Sequence, residues 1–255
     1  MPTLIETKSI EDCASLCSKL GLNFIELNMS FPDYQKLNVP ILKEIANQYN
    51  IYYTIHLDEK LSPCDFNDRV AEAYIATTLD AISVAKQLDV PILNIHLQEG
   101  VYVTLPDKKV HLFDAYCDTY FQKLVDFRNK CEEAIGSASI KICIENTNGY
   151  YHSFLKKSLD LFLESPVFAL TLDIGHSAVT GFTDESVIAK HGRLAHMHIH
   201  DATSKSNHLT LGEGTLDLLK YINLAIQHNC RAVLETKTID ALYSSVEWLK
   251  KEASF

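Results

Sequence analysis

The amino-acid sequence predicts an α/β protein, a (β/α)8 barrel, on three observations. Short β-branched runs alternate with amphipathic stretches from end to end, eight such pairs can be drawn, and one side of nearly every strand ends in an ionisable residue. Strands separated by helical segments form parallel sheets, and units of about 30 residues repeated over about 250 residues fit an eightfold barrel. The third observation bears on what the barrel does.

The expected strands, in order, are a segment around 3–7, FIELNM (24–29), IYYTIHL (51–57), PILNIHL (91–97), KICIENT (141–147), FALTLDIG (168–175), LAHMHIH (194–200) and RAVLETK (231–237). The first carries the weakest strand pattern. Between them, stretches such as 69–88 and 115–135 place apolar residues at three- and four-residue spacing, the period of an amphipathic helix. Cys13 and Cys17, four apart on an expected helix, read as packing residues.

The chain of 255 residues is 47% hydrophobic, enough to fill a core, and no Pro/Gly/Ser-rich linker divides it, so one domain over 1–255 is expected. Neither a signal-peptide pattern nor an apolar run of membrane-spanning length occurs. Seven cysteines without CxxC spacing, an odd number, argue against a disulfide framework. A reduced, cytoplasmic protein with no membrane partner is the expectation. The net charge of −10 and only four arginines count against a nucleic-acid partner, which needs clustered Lys and Arg.

Strand parity carries the functional argument. Alternate residues of a barrel strand face the helices and the barrel interior. One set is apolar: Ile25 and Leu27, Tyr53 and Ile55, Leu93 and Ile95, and so on through Met197 and Ile199, with Ala195 assigned to the same face. The opposite set ends in Glu26, His56, His96, Glu145, Asp173, His198 and Glu235. Each lies near the C-terminal end of its strand, the catalytic face of such barrels. So many ionisable groups on one rim are costly to bury unpaired, and a bound cation is the simplest way to stabilise them together.

The motifs IENTNG (144–149), LDIGH (172–176), MHIHD (197–201), HLTLGEG (208–214) and LET (234–236) resemble, in order and spacing, the xylose-isomerase-like TIM barrels. That superfamily includes sugar and sugar-phosphate isomerases and epimerases, dehydratases and type IV AP endonucleases. The resemblance implies a single TIM barrel with a metal site formed by Glu145, Asp173, His198 and Glu235. Three carboxylates and one imidazole suit a hard or borderline divalent cation such as Zn, Mn, Co or Mg. In the isomerase branch that cation stabilises an enediolate, and two glutamates move the proton next to the carbonyl. Glu145 and Glu235 match them, which makes them the expected catalytic pair.

The resemblance further implies a second metal site or substrate contacts at His56, His96, His176 and His208. Glu26 and His200 are expected to support the rim, with His196 one layer deeper. Ser206 and Asn207 stand where the AP-endonuclease branch has an Asp and an Arg, so a third site of that branch lacks its carboxylate. The expected activity is a divalent-metal-dependent isomerase or epimerase acting on a small carbohydrate. The alternatives are a two-metal zinc phosphodiesterase, a dehydratase on the same metal site, and a barrel that binds metal or sugar without catalysis. Nothing in the sequence sets the oligomeric state.

Overall fold

A computed structural model describes residues 1–147 and 150–253; Asn148 and Gly149, the end of the IENTNG motif, lie outside the described residues. Seven parallel strands form one sheet in chain order: β1 (Phe24–Asn28), β2 (Tyr52–His56), β3 (Ile92–His96), β6 (Lys141–Glu145), β7 (Phe168–Asp173), β8 (Leu194–Ile199) and β9 (Arg231–Leu234). Between β3 and β6 stands a separate antiparallel hairpin, β4 (Tyr102–Thr104) and β5 (Lys109–His111). The helices are α1 (Ile10–Lys19), α2 (Val39–Tyr49), α3 (Asp68–Leu88), α4 (Leu112–Ala115), α5 (Cys117–Ile135), α6 (Ser153–Phe162), α7 (Ile174–Val179), α8 (Thr183–His191), α9 (Leu218–Gln227) and α10 (Ile239–Glu252).

The eighth strand expected around 3–7 does not form. Only an isolated bridge, Pro2 with Glu26, extends the sheet beyond β1, supported by Thr3 N–H to the Glu26 carbonyl and Glu26 N–H to the Met1 carbonyl. Pairing stops there because Thr7 folds back, its amide and hydroxyl both donating to the Leu4 carbonyl. Ile5, at the tip of that turn, is 80% exposed. The result is a nearly closed barrel of seven strands. The single helix read at 115–135 is also interrupted, at Tyr116, where the backbone leaves the helical region between α4 and α5.

The apolar strand set fills the layer between sheet and helices. Ile25, Leu27, Ile55, Leu93, Ile142, Ile144, Leu170 and Met197 are fully buried there, each contributing roughly 1.5–3 kcal/mol. Cys13 and Cys17 pack into the same core from α1. A barrel interior is ordinarily filled by branched aliphatic layers. Here Ile92, Cys143 and Ala169 form a small apolar plug, and above it lie the buried polar side chains of Glu26, Thr54, Asn94, Thr171 and His196. A register shift between Leu170 and Thr171 leaves Ala195 as an extra residue on β8, since Leu194 pairs with Leu170 and His196 with Thr171. Ala195 therefore packs against the interior plug instead of joining Met197 and Ile199.

The sheet register decides which polar side chains meet. His96 lies beside Glu145, and Asp173 beside His198. Glu26 lies beside Thr54, one layer lower. Since all strands run the same way, the ionisable strand ends converge on one mouth.

Candidate metal centre

His198 is the centre of the arrangement. Its Nδ1 lies 3.2 Å from Glu235 Oε2, 3.5 Å from Glu145 Oε2 and 3.7 Å from Asp173 Oδ2. Its Nε2 lies 3.0 Å from Glu26 Oε1. Neither nitrogen has an in-line hydrogen bond, although the residue is buried. One imidazole nitrogen aimed between three carboxylates, with the other backed by a fourth, is the donor set of a carboxylate–histidine–metal unit. Glu145, Asp173 and Glu235 with His198 fit a divalent cation by their chemistry. The four come from successive strands β6, β7 and β8 and the residue after β9, so the two glutamates flank the other pair.

The floor beneath these groups is a chain of polar contacts. Glu26 accepts from Thr54 Oγ1 at 3.2 Å and pairs with His196 Nε2 at 2.9 Å. Thr171 Oγ1 donates to Asn94 Oδ1 at 2.6 Å, and Asn94 Nδ2 donates to Glu145 Oε2 at 2.5 Å. Asn94 thus fixes one Glu145 oxygen from below. It was not singled out from the sequence, although it occupies the inward position two residues before His96.

Asp173 is placed by both its backbone and its side chain. Its amide donates to Asn146 Oδ1 at 2.7 Å, and its Oδ1 caps α7 by accepting the His176 amide at 2.6 Å. His200 Nε2 lies 3.1 Å from Asp173 Oδ2, while His200 Nδ1 accepts the His208 amide at 2.8 Å. That amide can only donate, so His200 carries its proton on Nε2 and gives it to Asp173. His208 adopts a left-handed backbone, φ +55°, to present that amide. Gly175 makes room for the His200 ring: a Cβ there would stand 1.9 Å from His200 Cε1.

The remaining expected residues line the same mouth. His56 Nε2 and His96 Nε2 each lie 3.4 Å from Glu145 Oε2. His176 Nδ1 lies 3.3 Å from Glu145 Oε1, and His208 Nδ1 lies 3.8 Å from Glu235 Oε2. Lys237 Nζ is 2.8 Å from Glu235 Oε1, so this half-exposed lysine is an ion-pair partner of the centre.

The charges of the centre depend on one another. Against burial, which opposes ionisation, the neighbouring histidines hold Glu145 and Asp173 well below the usual carboxylate range. Glu235 is likewise held down to about 2, chiefly by His198. Burial pulls His56 and His176 down, but the carboxylates beside them outweigh it and raise both to about 9. Burial dominates at His208 and lowers it to about 4. Histidines and carboxylates offset one another here, and a divalent cation held by the carboxylates would displace protons from the centre.

Asp201 builds the loop that carries His208. Its Oδ1 accepts the amides of Ala202 (2.8 Å) and Leu216 (3.2 Å), and its Oδ2 those of Gly212 (3.0 Å) and Gly214 (2.8 Å). A Cβ on Gly214 would meet Asp201 Oδ1 at 2.2 Å, which explains the glycine. The two glycine amides of GEG are therefore directed at a carboxylate of the chain itself, while the Glu213 amide donates to the Thr210 carbonyl. Ser206 closes a turn with Thr203, its amide donating to Thr203 Oγ1 at 3.1 Å and its carbonyl accepting the Thr203 amide at 2.7 Å.

Comparison with known proteins identifies the family. The sequence model of the family described as xylose isomerase-like TIM barrel matches residues 14–252. The chain belongs to that family. An uncharacterized protein of Methanocaldococcus jannaschii is 24% identical over 228 residues, 84% of this chain and 74% of that protein. Two solved structures share the xylose isomerase-like fold. The 3-keto-D-glucoside 4-epimerase of E. coli superposes with a TM-score of 0.80 at 14% identity, covering 98% of this chain and 97% of that one. A D-tagatose 3-epimerase-like protein superposes with a TM-score of 0.73 at 22% identity, covering 91% and 89%. At these identities the likeness establishes the fold of this xylose isomerase-like barrel; the chemistry has to be argued from the site.

Proposed function

We propose that the protein is a divalent-metal-dependent isomerase or epimerase acting on a sugar, sugar phosphate or related polyol. The observation that carries this reading is the pair Glu145 and Glu235, set on either side of Asp173 and His198. A divalent cation held by Glu145, Asp173, His198 and Glu235 supplies Lewis acidity to the carbonyl and adjacent hydroxyl of a ketose.

The chain's own residues do the rest. Glu235 is the more open of the two glutamates, its side chain 17% exposed against 2% for Glu145. Lys237 holds its Oε1, leaving Oε2 toward the centre to exchange a proton with the carbon next to the carbonyl. Glu145 is fixed through Oε2 by Asn94 and turns Oε1 toward His176, in position to serve the other face of the substrate. His56, His96, His176 and His208 surround the pair and offer hydrogen bonds to hydroxyls. The structural neighbours named as sugar epimerases support the carbohydrate assignment.

A second reading has its own observation. His56 and His96 approach the same Glu145 oxygen and form with it a donor set whose atoms all lie within 4.8 Å of one another. His56, His96 and Glu145 would hold a second cation, and two cations would supply the Lewis acidity that hydrolysis of a phosphodiester needs.

The deciding experiment incubates metal-loaded protein with a panel of keto-sugars in D2O and follows deuterium entry by NMR. Deuterium is expected at the carbon next to the carbonyl, and Glu235→Gln should abolish its entry while the folded spectrum is kept. No exchange on any keto-sugar, together with cleavage of a phosphodiester, would replace this reading with the hydrolase.

A further inference from the structure

A second cluster of metal-ligating side chains shares no residue with the barrel centre and does not rest on the reading of it. Glu99 follows β3, His111 ends β5, and His152 immediately precedes α6. Each offers one donor atom, and the three atoms lie within 4.8 Å of one another. The His111 and His152 rings are 4.3 Å apart between centroids, tilted by 50°. All three residues are half-buried.

Aromatic packing explains part of this. Phe154 lies 5.5 Å from the His152 ring and 6.0 Å from the His111 ring, and Tyr102 lies 5.7 Å from His111. Packing leaves two facts unexplained. His111 Nδ1 is buried with no hydrogen-bond partner among the described residues, an arrangement that costs about 1–3 kcal/mol if nothing binds it. Neither histidine spends its side chain on the helix it precedes: both occupy N-cap positions without a side-chain cap bond. A carboxylate at the third corner completes a set of two imidazoles and one carboxylate.

We propose that Glu99, His111 and His152 form a separate divalent-cation site that takes Zn2+, with water in the remaining position. Two imidazoles and one carboxylate suit zinc better than magnesium or calcium, which prefer all-oxygen shells. Zinc ligand distances of about 2.0–2.2 Å set tetrahedral donors roughly 3.3–3.6 Å apart. Donor atoms that all lie within 4.8 Å of one another reach that spacing by closing at most about 1.5 Å.

The site has a structural consequence. A two-stranded hairpin is marginal by itself, and β4–β5 leaves Tyr102 and Val103 each 46% exposed. Gly100 is fitted tightly behind Glu99: its φ is +70° and a Cβ there would lie 2.6 Å from the Phe113 ring. A cation on Glu99, His111 and His152 ties the segment after β3 and the hairpin to the loop that follows Glu145. It clamps one side of the barrel mouth.

The test uses the full chain, stripped with chelator and then dialysed against zinc chloride. Elemental mass spectrometry should find one zinc per chain fewer in His111→Ala/His152→Ala than in the wild type. Glu99→Gln should bind that zinc more weakly. In the wild type, zinc should shift the His111 and His152 imidazole NMR resonances and slow amide exchange across 101–111 by about tenfold. Equal zinc content in wild type and double variant would overturn the proposal. If the variant does not fold, the wild-type titration decides: resonances of His111 and His152 that zinc leaves unmoved would reduce the cluster to an aromatic stack.

Discussion

Substitution of Gly175 by alanine tests how Asp173 is held. Gly175 lies inside α7 with an ordinary backbone, so alanine suits the backbone and should gain about 1 kcal/mol in helix propensity. The added Cβ, however, would stand 1.9 Å from His200 Cε1, where ordinary contact begins at 3.4 Å. The ring must therefore retreat by about 1.5 Å, and it is fully buried between the Asp173 carboxylate and the His208 amide. Losing a hydrogen bond to a charged group costs about 1.5–3 kcal/mol and a neutral one about 0.5–1.5. Less the propensity gain, Gly175→Ala should destabilise the protein by about 1–3.5 kcal/mol in a urea titration. In a His200→Ala background the obstacle is gone, and the same substitution should be neutral or stabilising by up to about 1 kcal/mol. Equal costs in both backgrounds, or no cost in the wild type, would refute the reasoning.

Three further outcomes follow from the contacts. Glu26→Gln removes the charge behind His196 and His198, and should weaken divalent-metal binding by about 10–100-fold in calorimetry with unchanged circular dichroism. Asp201→Ala leaves four loop amides without their acceptor and should lower unfolding free energy by about 2–4 kcal/mol, while exposing the segment around His208 to protease. His96→Ala separates the two functional readings. The kcat/KM of an isomerase using one cation should stay within about tenfold, whereas a two-cation hydrolase should lose about a thousandfold or more.

Much of the barrel and most of its mouth were legible in the sequence because a strand alternates with period two. Glu26, His56, His96, Glu145, Asp173, His198 and Glu235 share the parity opposite to the apolar set, and the fold brings six of them to the mouth with Glu26 one layer beneath. The strands end earlier than the sequence predicts: the segment 168–175 leaves the sheet at Asp173, where that side chain already caps α7. Tertiary detail was less visible. The β7–β8 register shift redirects Ala195, and no local pattern announces it. The β4–β5 hairpin has only three residues per strand, too few to show an alternation. Asn94 could have been found by listing uncharged polar residues at inward positions. Asp201 could not, because its acceptors matter only once the loop to Leu216 has folded around it. Glu99, His111 and His152 meet through three separate segments, and their spacing carries no signal.

The central claim is that the strand-end carboxylates and His198 bind a divalent cation. The direct measurement is metal content by elemental mass spectrometry, comparing wild-type protein purified without chelator with His198→Ala prepared in the same way. The account predicts at least one divalent ion per chain in the wild type beyond what the variant retains. A further ion that disappears in His96→Ala would extend the centre to His56 and His96. Equal metal content in wild type and His198→Ala, after both have been offered Mn2+, Co2+, Mg2+ and Zn2+, would contradict the account.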